Sequence, residues 1–524
     1  MSRRAGLARS AIVLIFLTGV SQLLGFVRDA VIVAVFGISA EVDAYLVAQG
    51  VMNLVLGLIA GAVAKSLVPP VTRSVDAGDT ANTRRVVQTV LTATVLILVA
   101  GSALMYVAAR QVVAVLSPGF SPETAQLAAN LTRIVLVATV FIAGTNILAA
   151  AAQAHRRFAW AGSQGISFNL VMIAAAGWFG GRFGIEALAV GFVVGSAVRL
   201  ALQLPAVRQM GLSLRPSLRL RDSGVREVAA LVPALIVSSA ITNVNTLVDR
   251  AVGSTQEEGT IAALNLGWRV VSLADSLLIA AFATVLFPAF SVLGGIESRP
   301  ELRQATAKAL GVVLVVICPI VAVLTVASAP AVELLFGRGA FDGRAVTMTA
   351  LAVSAYAVAL IGLAIRNVMV RTSLAVGDSR SVVITAVCAM VINVVGDLTL
   401  GLRFGIVGLG ASTSASVLFA GVMLSILLAR RHNAVDLSSL RRTLAAIGSA
   451  TAGAAVAAWG ALRLWSSYVP QAEPAWLAAL AATAVASTAC LLVYVAVVAV
   501  LRVPAARHLQ ETLHMLVRRR TPAP

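Results

Sequence analysis

Ionisable side chains interrupt this chain's long apolar runs at Arg28, Asp29, Arg133, Arg269, Asp275, Arg366 and Asp397. In a bilayer such a group costs about 3 kcal/mol or more unless it is paired or reached by water, so each is expected to face a protein interior or a hydrated chamber. Cations outnumber carboxylates in this set. Guanidinium stays charged at any biological pH, and its planar fork grips phosphate oxygens through paired bonds. A cavity edged by Arg28, Arg269 and Arg366 would therefore suit a phosphate or pyrophosphate head group. The competing reading has the arginines snorkelling to an interface or pairing with nearby acids, Arg28 with Asp29 for instance.

A second grouping is made of oxygen ligands. Asn393 and Asp397 stand four residues apart and so share a helix face, and Thr413 on the adjoining helix can bring a hydroxyl near them. Hard oxygens of this kind suit Na⁺ or H⁺ as a coupling ion. Asp249, with Asn245 one turn earlier, could complete the site; a purely structural hydrogen-bond network is the alternative. Catalytic patterns are missing: there is no H-E-x-x-H, G-x-S-x-G or Walker sequence, and no acid cluster of the kind prenyl-pyrophosphate enzymes carry. An enzyme is not expected, nor any cofactor besides the ion. Cys318, Cys388 and Cys490 lie in apolar segments without paired spacing, so they suggest neither disulfides nor a zinc site.

The elements that position these residues follow from composition. The chain has 524 residues, 59% hydrophobic and 12% charged, with a mean hydropathy of +0.94. A water-soluble fold would have no polar surface to present, so the bilayer must be the solvent. Apolar windows of about 20 residues, enough to cross a ~30 Å hydrocarbon core as helix, recur along the chain. They predict an all-α polytopic fold of fourteen helices near 9–36, 42–70, 86–110, 124–153, 158–180, 184–207, 228–252, 259–290, 304–328, 346–371, 381–401, 406–430, 442–464 and 474–501. The first window carries Arg28 and Asp29 and is too long for a signal peptide.

Arg182-Phe183-Gly184-Ile185 recurs as Arg403-Phe404-Gly405-Ile406, each time after an Asn-bearing helix with Asn169 or Asn393. Arg28-Asp29 also has a reversed counterpart in Asp249-Arg250. Six helices separate the copies, and an even number preserves orientation, so two parallel six-helix lobes are expected around a cavity. The organisation predicted is an N-lobe at 1–207, a cytoplasmic linker at 208–227, a C-lobe at 228–431, two further helices within 432–502 and a basic cytoplasmic tail at 503–524. Lys and Arg crowd into alternate loops: the N-terminus, 208–226, Arg430 to Arg442, and Arg518-Arg519-Arg520. That bias places both termini in the cytoplasm. The same scatter over short loops, with no aromatic-rich soluble module, argues against nucleic acid as a partner.

The run Leu23-Leu24-Gly25-Phe26-Val27-Arg28-Asp29-Ala30, followed by F-G-I-S-A-E-V-D-A-Y at 36–45, resembles the MurJ (MviN) lipid II flippases. The resemblance continues in H-R-R-F-A at 155–159, L-F-P-A-F-S at 286–291, E-L-L-F-G-R-G-A-F-D at 333–342 and A-V-G-D-S-R at 375–380. It implies two six-helix lobes with alternating access and two extra C-terminal helices, in a bacterial cytoplasmic membrane. Arg28 and Arg269 match cavity arginines for a pyrophosphate, with Asp29 beside them, and Asp43 matches a functionally important acid. Asn393, Asp397 and Thr413 match a sodium site, with Asp249 as a fourth ligand. Where that family usually carries paired arginines, this chain reads Asn53-Leu54-Val55-Leu56-Gly57, which sets Asn53 at a position of substrate contact. The function implied is translocation of a polyprenyl-pyrophosphate-linked saccharide among membrane lipids, driven by membrane potential or a cation gradient, alongside cell-wall synthesis proteins. Two other readings use the same residues: export of another lipid-linked glycan, glycolipid or amphiphilic metabolite, and a non-transporting scaffold that recruits cell-wall enzymes through its basic loops.

Overall fold

A computed structural model describes residues 2–285, 299–468 and 475–503, and every regular element among them is helical. In hydrocarbon each backbone N–H and C=O must be satisfied within its own segment, which is why runs of Ala, Val, Leu, Ile and Gly become helices here. Hydroxyls inside the spans follow the same rule: Thr132 donates to the Ala128 carbonyl at 2.7 Å, Ser196 to Phe192 at 2.7 Å and Ser425 to Gly421 at 2.8 Å. Large apolar side chains such as Phe16, Leu104, Trp178 and Leu492 stand exposed on the exterior, as a lipid-facing surface requires.

In chain order the helices are α1 (Ser2–Phe36), α2 (Ala40–Asp76), α3 (Thr80–Val107), α4 (Ala109–Leu116), α5 (Pro122–Leu136), α6 (Ala138–Ala154), α7 (Phe158–Ala174), α8 (Gly180–Phe183), α9 (Glu186–Ala201), α10 (Leu204–Gln209), α11 (Ser223–Ser254) and α12 (Thr260–Val285). They continue with α13 (Arg299–Val326), α14 (Ser328–Phe336), α15 (Gly343–Ala357), α16 (Ala359–Ala375), α17 (Ser379–Gly396), α18 (Leu402–His432), α19 (Leu437–Tyr468) and α20 (Ala475–Val500). Among the described residues nine helical runs are long and apolar enough to cross a bilayer, or eleven if each bent pair is one span. One of the nine, Ser379–His432, holds two of the helices read from sequence, folded back on themselves at Gly405. The L-F-P-A-F-S stretch at 286–291 and the tail from 504 onward lie outside the described residues.

The chain divides into two compact units, Met1–Ala262 with Gly339–Phe341, and Ala263–Arg338 with Asp342–Pro524. In the first unit α1 packs along α7, while α2 packs against α3, α5, α6 and α11. Its core joins Val63, Leu67 and Val71 of α2 to Val86 and Val90 of α3, Ile147 and Leu148 of α6, and Val225 and Val228 of α11. The helix that the repeat makes the start of the second lobe thus packs along α2. In the second unit α16 and α17 pack against α18, α13 packs against α19, and α19 lies along α20.

The internal repeat is visible in the backbone. In the first unit α7 runs through a π-helical turn at Ala175–Phe179 before the chain reverses at Gly184, with φ +62°. In the second unit α17 runs through a π-helical turn at Asp397–Gly401 before the chain turns at Gly405, with φ +57°. A side chain at either glycine would be forced into a left-handed conformation, so the shared R-F-G-I sequence marks two equivalent hairpin corners.

At the opposite end of the second hairpin Asp378 caps α17. Its carboxylate accepts from the Ser381 amide at 3.0 Å and the Ser381 hydroxyl at 2.7 Å, and His432 Nε2 donates to it at 2.9 Å. Although burial works against its charge, these bonds and the histidine hold the carboxyl down at about 2, below its ordinary 3.8. A carboxyl with a depressed folded-state pKa stabilises fully above its unfolded value and loses that contribution as pH falls through the folded one. Asp378→Ala is therefore expected to cost about 1 kcal/mol at neutral pH, the worth of a good helix cap. In thermal unfolding, the gap between variant and parent should close as the pH is lowered from about 4 toward 2.

Candidate functional site

Among the described residues two polar constellations stand out, one in each unit. In the first unit a cavity of about 430 Å³ opens among α2, α6, α7, α9 and α11. Gln49, Gly50, Asn53, Asn146, Arg199 and Arg250 line it, with the rings of Phe168 and Phe192 beside them. Among the described residues lining it none is Asp or Glu.

Arg199 of α9 is held by neutral amides: Nε and Nη2 donate to Gln164 Oε1 at 3.2 and 2.7 Å, and Nη2 also donates to Asn146 Oδ1 at 3.3 Å. Arg250 of α11 lies over Gly50 of α2, where a Cβ would come within 1.9 Å of its Nη1. Phe168 and Phe192 meet edge to face with centroids 5.1 Å apart. The cavity wall thus joins two cations, neutral hydrogen-bonding groups and aromatic surface, a chemistry that accepts an anion with an attached apolar or sugar ring.

The residues brought forward by sequence take different places. Asn53 lines this cavity. Arg28 is bound by Asp29, whose Oδ1 accepts from Nε at 2.9 Å and Nη2 at 2.7 Å, while Arg28 Nη1 donates to Asn169 at 3.2 Å. The Arg28 guanidinium also lies 5.9 Å from the Phe168 ring centre. Asp43 is 3% exposed, and its two oxygens accept from the Gly259 amide at 2.8 Å and the Ala262 amide at 2.7 Å. It thereby caps the N-terminus of α12, where the helix dipole favours negative charge. Arg269 and Arg366 lie half-buried on α12 and α16 of the second unit, and Asp249 lies next to Arg250 on α11 of the first.

The second constellation lies between α17 and α18. Asn393 Nδ2 donates to Asp397 at 3.3 Å, to Ser412 at 3.3 Å and to Thr413 at 3.4 Å, and the Ser412 hydroxyl donates to Asp397. Asp397 is fully buried and Asn393 nearly so. Gly396 allows the close approach, because a Cβ there would come within 2.5 Å of the Ser412 Cβ. The Asp397 carboxylate and the Ser412 and Thr413 hydroxyls supply oxygens that fit a small hard cation or a proton, and Asn393, which donates to all three here, would add its amide oxygen on turning over.

Sequence reasoning brought Asn393, Asp397 and Thr413 together but passed over Ser412. It also left out Arg199 and used Arg250 only as one half of a repeated pair. The signal for Arg199 was present: a lone arginine inside the apolar window 184–207 obeys the same rule that singled out Arg28. Ser412 gave less notice, because a serine in an apolar helix usually satisfies itself on its own backbone.

A chain whose described elements are all helical, with an apolar exterior, helical hairpins repeated in two units and buried polar sites, is a polytopic membrane protein of transporter architecture. Residues 32–479 match the family described as "Lipid II flippase MurJ", and the chain belongs to that family. The lipid II flippase MurJ of Burkholderia cenocepacia is 25% identical over 422 residues, covering 77% of this chain and 81% of that protein. The probable lipid II flippase MurJ of Rhizobium meliloti is 27% identical over 401 residues, 72% of each. Among solved structures, a lipid II flippase MurJ in an inward closed conformation superposes with a TM-score of 0.75 at 20% identity, over 93% of this chain and 98% of that one. An inward-facing multidrug resistance MATE family transporter of the MOP superfamily superposes at 0.62 and 16% identity, over 82% of this chain and 96% of that one.

Proposed function

We propose that this protein carries a polyprenyl-pyrophosphate-linked saccharide of the lipid II kind from the inner to the outer leaflet of a bacterial cytoplasmic membrane by alternating access. The observation that carries the reading is the first-unit cavity, which sets two guanidinium groups among neutral donors with no carboxylate in its described lining. Positive charge lining a cavity at membrane depth is costly unless an anion reaches it. The family membership and the lipid II flippase names of its relatives supply the cargo class. Binding only has to be tight enough to admit the head group and weak enough to release it, so charge and donors suffice where no bond is made or broken. The basic bias of alternate loops supports an orientation with both termini in the cytoplasm. The same loops offer surfaces for cell-wall synthesis proteins.

The Asn393, Asp397, Ser412 and Thr413 cluster is proposed to hold Na⁺ or H⁺ and to couple its binding to one conformation through differential affinity. Asp397→Asn should leave the protein folded and remove the dependence of transport on Na⁺ or on pH. Transport that keeps its parental ion dependence in this variant would discard the coupling site.

Complementation tests the cargo. A bacterium depleted of its own MurJ should regain growth and cell shape when this chain is expressed. Failure to rescue, with the chain inserted in the membrane at normal levels, would favour a different lipid-linked glycan or amphiphile.

A further inference from the structure

We infer that Arg199 and Arg250 are cations that hold the phosphate of the head group in this chain. The inference rests on the cargo class proposed above and names the residues that would recognise it.

Charge compensation separates the three arginines. Arg28 has its counter-ion in place: Asp29 takes two of its nitrogens and Asn169 a third. A guanidinium so engaged has little left to offer a phosphate, and removing Asp29 from it would cost a buried ion pair. Arg199 has only neutral partners, Gln164 and Asn146, and takes part in no ion pair among the described residues. Amide oxygens orient a guanidinium without neutralising it. The Asp249 carboxylate acts on Arg250 electrostatically, yet Arg250 Nη1 is buried with no hydrogen-bond partner. Leaving a buried donor unsatisfied is costly, and more so when it is charged, so this nitrogen marks a place where an acceptor belongs.

Geometry and sequence agree on that place. Both arginines line the same cavity of about 430 Å³, inside the range of about 300–1,000 Å³ typical of small-molecule sites. Arg250 can occupy its berth because residue 50 is glycine: a Cβ there would lie 1.9 Å from Nη1 and 3.0 Å from Cζ. Gln49, Asn53 and Asn146 add neutral hydrogen-bonding groups for phosphate oxygens or an adjoining sugar. Asn53 begins the stretch that lacks the helix-two arginines expected from the family resemblance, and the two cations of this cavity come instead from α9 and α11. Arg28, over the face of Phe168, is a positioning residue for the aromatic wall.

The test is binding of a polyprenyl pyrophosphate to the purified full-length chain in nanodiscs, with the uncharged polyprenol of the same length as reference. The parent protein should prefer the pyrophosphate lipid. Arg199→Gln and Arg250→Gln should each weaken its binding by about tenfold or more, the worth of a charge-assisted hydrogen bond. Polyprenol binding should not change. Arg199→Lys and Arg250→Lys keep the charge and should recover part of the loss. Gly50→Ala, which keeps every charge but intrudes on the Arg250 berth, should also weaken pyrophosphate binding. Arg28→Gln should weaken it less than either cavity variant.

If both glutamine variants, with parental unfolding midpoints, retain the parental preference for pyrophosphate, the assignment is overturned while the cargo class stands. If a glutamine variant fails to fold, Gly50→Ala and the lysine variants decide: parental pyrophosphate binding in Gly50→Ala, with no loss on changing either arginine to lysine, overturns it as well. A parent protein that binds polyprenol as well as the pyrophosphate lipid would instead overturn the cargo reading.

Discussion

Asp43→Ala should lower the stability of the folded protein by about 3 kcal/mol or more, one of the two largest losses expected from a single substitution here. Asp43 is 3% exposed, and both of its oxygens are committed to backbone amides, those of Gly259 and Ala262. Deletion leaves two buried N–H groups without acceptors, and each such orphaned group costs about 1–3 kcal/mol. The loss is compounded because the carboxylate sits at the positive end of α12. The junction has no slack to repair itself: Gly259 has φ +88°, and a Cβ on it would lie 2.2 Å from the Ile38 carbonyl oxygen. Asp43→Asn keeps one acceptor oxygen and should lose roughly half as much. Heat-induced unfolding of purified protein in detergent checks both variants. An Asp43→Ala midpoint equal to the parent's would contradict the capping role.

Gly362→Leu should be at least as damaging, through the opposite physical cause. Helices in a bilayer gain little from burying apolar surface against one another, so they associate by close backbone contact at small residues. Gly362 of α16 is such a contact: a Cβ there would meet the Leu418 amide nitrogen at 2.5 Å and its Cα at 2.7 Å. Those atoms belong to the backbone of α18 and cannot rotate away. Gly421 makes the reciprocal approach, with the Gly362 carbonyl oxygen 3.1 Å from where its own Cβ would be. Overpacking a tight core costs about 1–3 kcal/mol where side chains can yield, and more where a backbone must move. The expected result is poor membrane yield and early unfolding, read by size-exclusion profile and unfolding midpoint. Gly448→Leu is the control, since nothing lies within 4 Å of its Cβ position. Equal losses at 362 and 448 would rule out the packing explanation.

The sequence announced the fold because the bilayer imposes one simple constraint. A spanning segment must be helical and apolar, so windows near 86–110, 158–180 and 442–464 are readable from composition alone. The R-F-G-I repeat was readable too, since a hairpin corner needs a residue that accepts positive φ, and glycine stands at both corners. Sites were harder. Asn393 and Asp397 share a face by helical spacing alone, and their meeting in the structure needs no long-range information. Arg28 and Arg199 look alike in sequence, each an arginine deep in an apolar window. What distinguishes them is the partner: a carboxylate one residue away for Arg28, and the amides of Asn146 and Gln164 on neighbouring helices for Arg199. Gly50 carried a functional message that composition hides, because its role is the room it leaves for a residue 200 positions away.

Reconstitution bears most directly on the claim that this chain moves a phosphate-bearing lipid. The purified protein is incorporated into sealed vesicles together with a labelled polyprenyl-pyrophosphate-linked saccharide, and the head group's exposure to an impermeant reagent is followed over time. The expected result is a protein-dependent transfer of the labelled head group between leaflets that responds to membrane potential or a cation gradient and is absent for the same saccharide on an uncharged lipid. A head group that stays in its original leaflet at the protein-free rate, under every potential and gradient applied, would contradict the account.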